Sequence, residues 1–238
     1  GEIFNELIEV DAFLGVSDYG EILSVLDRDF NGERVNAVGV PRGEPCTDRV
    51  LTTSSYAYLK IAEGCSNGCY YCAIPLIRGP HRSRPMESCI EEAKWLAEEG
   101  VREIIVVAQD ITRYGEDIYK ENKLAELVTE ISKIEGIEWI RLLYCYPEEI
   151  YDELIQTIKE EDKICKYLDL PIQHASDRIL KRMGRRTNKQ QLVDLVTKLR
   201  EEIPEITLRT TLITGFPGET EEDHGEVMEF VDTMEFDR

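Results

Sequence analysis

Long apolar runs are missing from this chain. No stretch approaches the roughly 20 consecutive apolar residues that a membrane-spanning helix requires, so the residues present hold no helical membrane anchor. A basic leader is missing too: Gly1 to Val10 carry three glutamates and no lysine or arginine. That excludes a signal peptide in this segment and makes a cytoplasmic protein the expectation. Basic residues are few for the acidic ones they face, 28 against 48, giving a formal net charge of −20. Such a surface repels duplex or folded RNA, whose binding draws on cations that neutralise phosphates. It favours a basic protein partner or a small ligand, although acidity also serves solubility alone. Internal repeats and low-complexity tracts are absent as well.

What is there is an ordinary globular composition, 42% hydrophobic over 238 residues. That length builds one large domain, or one domain plus a fragment of another. From about Tyr56 onward, short apolar runs alternate with amphipathic helices. The runs Tyr58–Ala62, Glu103–Ala108, Trp139–Leu143, Tyr167–Leu170 and Thr207–Ile213 are rich in Ile, Val, Leu and Tyr. They are nearly continuous in hydrophobicity, as strands covered on both faces are. Between them, Ile90, Ala93 and Ala97 mark one helical stripe, which Gly100 ends as a C-cap. Leu124, Leu127, Val128 and Ile131 mark the next; Ile150, Leu154 and Ile158, entered through Pro147, mark a third. Leu192, Leu195, Val196 and Leu199 give a fourth, stopped by Pro204, and a Thr220-to-Asp223 capping box opens a fifth with Val227, Phe230 and Val231. The fold class is therefore α/β, with a parallel sheet and right-handed crossovers.

Residues before Tyr56 differ. Gly1–Leu26 predicts helix, a short strand at Ala12–Gly15, then helix, while Asn36 to Ser55 is loop-like, with Pro41, Gly43 and Pro45. The expected domains are residues 1–35, the end of a preceding α/β domain; 36–55, a linker; and 56–238, the core, which stops where a further strand would follow.

Parallel α/β sheets place their chemistry in the loops after strand C-termini, and Cys65-Ser-Asn-Gly-Cys69-Tyr-Tyr-Cys72 follows the first strand directly. The other four cysteines, Cys46, Cys89, Cys145 and Cys165, are scattered and read as free thiols. A disulfide framework belongs to small secreted domains instead. Three close thiolates suit one soft metal centre. A four-iron, four-sulfur (4Fe-4S) cube held by three cysteines leaves one iron open, and S-adenosylmethionine (SAM) can fill that site through its amino and carboxylate groups. Electron transfer from the cluster then breaks a carbon–sulfur bond and gives a 5′-deoxyadenosyl radical, chemistry the cofactors carry while the protein orients them. Two alternatives remain open on spacing alone: a Cys₃His zinc site completed by His81, in a non-catalytic interaction module, and a thioredoxin-like pair Cys69/Cys72.

The Cys-x₃-Cys-x₂-Cys spacing, with Tyr71 before the last cysteine, resembles the signature of the radical SAM superfamily. The flanking text is similar to the methylthiotransferases within it: Ala57–Cys65, Ile74–Arg84, Gln109–Gly115 and Leu212–Glu219. These enzymes replace a C–H bond with C–S–CH₃ on a tRNA base or a ribosomal protein. Gln109-Asp110 after Ala108, and Gln173-His174-Ala-Ser-Asp177, resemble the branch that modifies an aspartate β-carbon of the basic small-subunit ribosomal protein twelve. A tRNA-adenosine enzyme is the alternative. The resemblance implies a partial parallel (β/α) barrel of the radical SAM type. It also implies a second 4Fe-4S cluster, in an upstream domain of a longer parent, and a C-terminal β-barrel beyond this chain.

The same resemblance assigns further residues. Gln109, after the second strand, would face the amino end of SAM, or else cap its own loop. Gln173, after the fourth, would reach the ribose, although a helix N-cap at Ser176 or Asp177 explains that stretch equally well. Tyr71 would pack beside the adenine or else fill the core. Arg209 pairs with the SAM carboxylate, unless strand alternation turns it to the other side. Gly215, in Gly215-Phe-Pro-Gly218, lets backbone approach a ligand closely. Apart from the resemblance, Arg78, Arg82 and Arg84 form a local basic group beside the cysteine loop, able to engage SAM or an acidic substrate side chain or to stand as a solvated rim. His81 and His174 read as hydrogen-bonded loop residues rather than ligands.

Overall fold

The computed structural model describes residues 2–16, 18–39, 49–53 and 55–238. Five parallel strands, β3 (Tyr56–Lys60), β6 (Glu103–Val107), β7 (Trp139–Leu142), β8 (Ile164–Gln173) and β9 (Thr207–Leu212), lie side by side in that order. They share their chain with two short pairs, β1 (Ala12–Leu14) with β2 (Val35–Ala37), and β4 (Ala62–Glu63) with β5 (Arg82–Ser83). Helices α4 (Met86–Glu98), α5 (Leu124–Ser132), α6 (Asp152–Glu160) and α8 (Lys189–Glu202) make the crossovers, and α9 (Glu221–Met234) follows the last strand. Three shorter or earlier helices, α1 (Glu2–Glu6), α2 (Ile22–Phe30) and α3 (Ile74–Arg78), precede them, and α7 (Asp177–Arg182) lies after β8.

Register explains the core. Leu59 pairs with Val106, Val106 with Leu142, Leu142 with Leu168, and Leu168 with Leu208, a row of buried side chains crossing all five strands. Each such burial stabilises the fold by about 1.5–3 kcal/mol. The row packs in one cluster with Ala93 and Leu96 of α4, Leu127 and Ile131 of α5, Leu154 and Ile158 of α6, and Val196 and Leu199 of α8. Because side chains alternate along a strand, Tyr58, Arg141, Tyr167, Asp169 and Arg209 point to the opposite face. The inner face of this partial barrel is therefore mixed, with Ile105 in register between Tyr58 and Arg141, whereas the outer face is the apolar one that the helices cover. Arg209 lies on that inner face, where it meets Asp169 at 3.0 Å.

Local stops act largely as their residues dictate. Gly100, with φ of +90°, ends α4, and α8 ends two residues before Pro204. Pro147–Glu149 instead form a separate 3-10 turn, after which the extended Tyr151 starts α6 at Asp152, leaving Ile150 outside the helix. The first strand also stops earlier than expected, at Lys60, and the chain passes into the antiparallel β4–β5 pair, which closes the base of the cysteine loop.

The capping box of α9 is present: Asp223 Oδ2 accepts from the Thr220 N–H at 2.9 Å and Thr220 Oγ1 accepts from the Asp223 N–H at 3.3 Å. Asp223 also accepts from Arg178 and, at 2.7 Å, from Ser176 Oγ. The Arg178 hydrogen bond, then those of Thr220 and Ser176, hold its carboxyl well below the usual carboxylate range. A carboxyl depressed in the folded state adds stability above its unfolded pKa, and that contribution is lost as the pH falls through the folded value. Asp223→Asn is therefore expected to lower the thermal midpoint at pH 7, with the gap to the wild type narrowing at pH 2. A gap that stays constant across this range would show that the charge contributes nothing.

At the other end of the chain, β1 pairs in parallel with β2. Arg34 braces the pair, donating to the Val10 carbonyl at 2.9 Å and the Phe4 carbonyl at 2.6 Å while lying over the Phe4 ring. A domain boundary at residue 35 falls inside β2, because pairing with β1 continues through Ala37. Cys46 and the Pro41–Pro45 stretch lie outside the described residues.

Candidate active site

The cysteine loop is fastened at several points. Gly64 has φ of +78°, and a Cβ there would stand 2.2 Å from the Pro80 carbonyl oxygen, so only glycine lets the two backbones touch. Cys65 N–H donates to the Gly79 carbonyl at 3.1 Å, Tyr70 N–H to Met183 at 3.0 Å and Cys72 N–H to Cys69 at 3.0 Å. Cys65, Cys69 and Cys72 are free thiols, each half-buried. Burial pushes the Cys65 thiol up; the Asn67 backbone N–H opposes this, and negative charge at Asp110, Cys69 and Cys72 adds to the rise.

Among the described residues, no three His, Cys, Asp or Glu side chains are gathered closely enough for a single metal ion. Three thiols on one loop are nonetheless the donor chemistry that an iron–sulfur cluster takes. A compact zinc site with His81 is not assembled; the His81 Nε2 contacts Ser83 Oγ at 3.2 Å. Cys69 and Cys72 both precede α3, whose N-cap is Ala73. This differs from a redox pair that opens a helix.

Beneath the loop lies a buried polar group. Asp110, 1% exposed, accepts from Asn67 Nδ2 at 2.7 Å and from the Thr112 N–H at 3.0 Å. Arg185 is buried against Glu148, donating to its two oxygens at 3.0 and 2.8 Å, and lies 4.0 Å over the Tyr146 ring. Tyr71 sits beside Cys69 and Arg185: burial raises its phenol pKa, as does Cys69, while Arg185 opposes. Tyr146, Glu148 and Arg185 were not singled out by sequence. Their partners lie far along the chain, and only the Arg185-Arg186 doublet after Gly184 was available as a signal.

Parallel strands bring the remaining candidates to the same end of the sheet. Gln109 follows β6, and its buried Oε1 has no hydrogen-bond partner. Gln173 ends β8 with φ of +74°, and its carbonyl accepts from the Ile213 N–H at 2.8 Å. Gly215 follows β9 with φ of +73°, and a Cβ there would meet nothing within 4 Å. Arg209 is 42% exposed, while burial pushes the Asp169 carboxyl up and Arg209 draws it back. His174 is buried and accepts the Ser176 N–H through Nδ1 at 3.0 Å; its Nε2 faces Glu219 at 3.5 Å. It is a loop-bracing histidine. The basic group is largely committed inside the protein: Arg84 is buried against Glu92, Arg82 donates to the Arg78 and Pro80 carbonyls, and Arg78 faces Glu63.

The model of the radical SAM superfamily matches residues 59–231, and the chain belongs to that superfamily. Its sequence is 58% identical over 240 residues to the ribosomal protein uS12 methylthiotransferase RimO of Lachnoclostridium phytofermentans, and 53% identical over 247 residues to the RimO of Acetivibrio thermocellus. Each alignment takes in 100% of this chain and 54% of the relative, so the chain spans about half their length. Among solved structures it resembles the radical SAM methyltransferase TsrM of Kitasatospora setae, with cobalamin and a 4Fe-4S cluster bound. There the TM-score is 0.62 and the identity 17%, covering 76% of this chain and 35% of that one. It also resembles the cobalamin-dependent SAM radical enzyme OxsB, with a TM-score of 0.59 and 16% identity, covering 73% of this chain and 26% of that one. These two share the fold.

Proposed function

We propose that this chain is the radical SAM core of an enzyme that adds a methylthio group to an aspartate β-carbon of ribosomal protein uS12. The observation that carries this is identity of 50–58% across almost the entire chain with relatives bearing that name. Cys65, Cys69 and Cys72 would hold a 4Fe-4S cluster, leaving one iron for SAM. When bound, the cluster supplies the electron that cleaves the carbon–sulfur bond of SAM.

The chain's own residues then bind and orient. Gln109, with an unpartnered buried oxygen, suits the amino group of SAM. Arg209, on the inner face, suits its carboxylate. Gln173 would reach the ribose, Tyr71 would flank the adenine, and Gly215 would leave room for backbone approach. Residues 1–37 would close an upstream domain holding a second 4Fe-4S cluster in the longer parent. No helix among the described residues is long and apolar enough to cross a membrane, and a cytoplasmic location is part of this reading. A net charge of −20 suits a basic ribosomal protein better than tRNA.

The test offers the full-length parent both substrates together and analyses them by mass spectrometry. The expected product is uS12 heavier by one methylthio group. Modified tRNA adenosine with untouched uS12 would move the enzyme to the tRNA branch.

A further inference from the structure

Cys69 has a neighbour that holding a cluster does not require. The Tyr146 hydroxyl lies 3.4 Å from Cys69 Sγ, on a side chain only 8% exposed. Both parts of Tyr146 are fixed independently. Its ring lies under Arg185, which Glu148 grips through both oxygens. Its backbone N–H donates to Thr112 Oγ1 at 3.3 Å. The Thr112 hydroxyl and N–H both donate to Asp110 Oδ1, and Asp110 Oδ2 takes the Asn67 amide. Asn67 and Cys69 belong to one five-residue stretch, Cys65–Cys69. The loop is therefore tied at two points to one closed circuit of buried groups.

We propose that Tyr146 is a positioning residue that donates its hydroxyl proton to the Cys69 thiolate and so sets the reduction potential of the cluster. The inference rests on Cys69 being a cluster ligand. A thiolate bound to iron carries no proton, so of the two atoms only the phenol can donate. Hydrogen bonds to cluster sulfurs are among the determinants of the reduction potential. Withdrawing electron density from sulfur favours the more negative, reduced cluster and raises the potential. The donor is also well held. Swinging the phenol away would break the Arg185 stacking contact, and moving its backbone would disturb the Thr112–Asp110 bonds. The arrangement also gives Asp110 a role in the machinery: its carboxylate orients Asn67 and, through Thr112, Tyr146.

The test compares anaerobically reconstituted wild type and Tyr146→Phe by iron and sulfide content and by a redox titration followed by electron paramagnetic resonance. Both proteins are expected to hold about four irons. The variant's midpoint should be more negative by about tenfold in the reduction equilibrium, about 59 mV for one electron. Equal iron with an unchanged midpoint overturns the proposal. If Tyr146→Phe loses its iron, 3-fluorotyrosine at position 146 keeps the shape and gives a more acidic hydroxyl, so the midpoint must rise. No rise there overturns the proposal. Wild type that takes up neither iron nor sulfide is a different failure: it removes Cys69 as a ligand, and the inference falls with it.

Discussion

Alanine at Cys65, Cys69 or Cys72 abolishes uptake of iron and sulfide, whereas alanine at Cys46, Cys89, Cys145 or Cys165 leaves it intact: this is the result expected from anaerobic reconstitution. Each of the three loop cysteines would serve a separate iron, so removing one leaves two protein ligands and another iron exposed to solvent. Iron should fall from about four per chain to well below one. Of the others, Cys89 and Cys145 are fully buried, and Cys165 lies early in β8, away from the loop end of the sheet. For Cys145 the burial itself pushes the thiol pKa well up, which suits a packing residue rather than a ligand. Iron and sulfide assays on the seven single variants check the assignment. Tightly bound zinc without sulfide in the wild type would sink it and favour a non-catalytic module.

The second large effect concerns Arg185. Arg185→Met is expected to destabilise the fold by about 3–5 kcal/mol, because it leaves the Glu148 carboxylate buried without its cation. In the native protein these side chains are 1% and 7% exposed and bonded through both Glu148 oxygens. Replacing both partners, Arg185→Met with Glu148→Met, should recover much of the loss, since a buried ion pair exchanged for apolar groups of similar volume is often neutral. Urea unfolding of the single and double variants reads both effects. A single variant as stable as the double would show that Glu148 finds other partners.

Particular residues show what sequence could and could not convey. The Ile- and Val-rich β6 and the strands at Trp139 and Thr207 were legible to within a residue or two, because strands in a helix-covered sheet carry dense apolar runs. The cysteine loop was legible from spacing and from following a strand. The polar groups of the inner face were hidden, since Tyr58, Tyr167 and Arg209 sit within otherwise apolar runs, and only register turns them to one side. Ile150 was misplaced because helical spacing continues through Pro147–Glu149, whereas the chain turns there as 3-10. The three-residue strand β2 offered no local signal, as its partner lies more than twenty residues earlier. Asp110 read as a mark of substrate class; its bonds to Asn67 and Thr112 are non-local or depend on rotamers. Arg84 looked like surface charge, and its partner Glu92 lies one helix on.

The order β3-β6-β7-β8-β9 has a consequence for how the chain is made. Apart from the small β4–β5 hairpin, every strand of the sheet pairs with the one synthesised just before it. No strand has to wait for a distant C-terminal segment or be inserted between two that are already paired. Each crossover helix then packs on an edge that exists when the helix is complete. Chains fold from the N-terminus as they emerge, and pairing of near neighbours keeps loop-closure costs low at each step. The sheet can therefore grow one strand at a time on the ribosome. The row from Leu59 to Leu208 is extended by one buried side chain with each addition, and after α9 the segment at Asp237 and Arg238 returns to hydrogen-bond along β9.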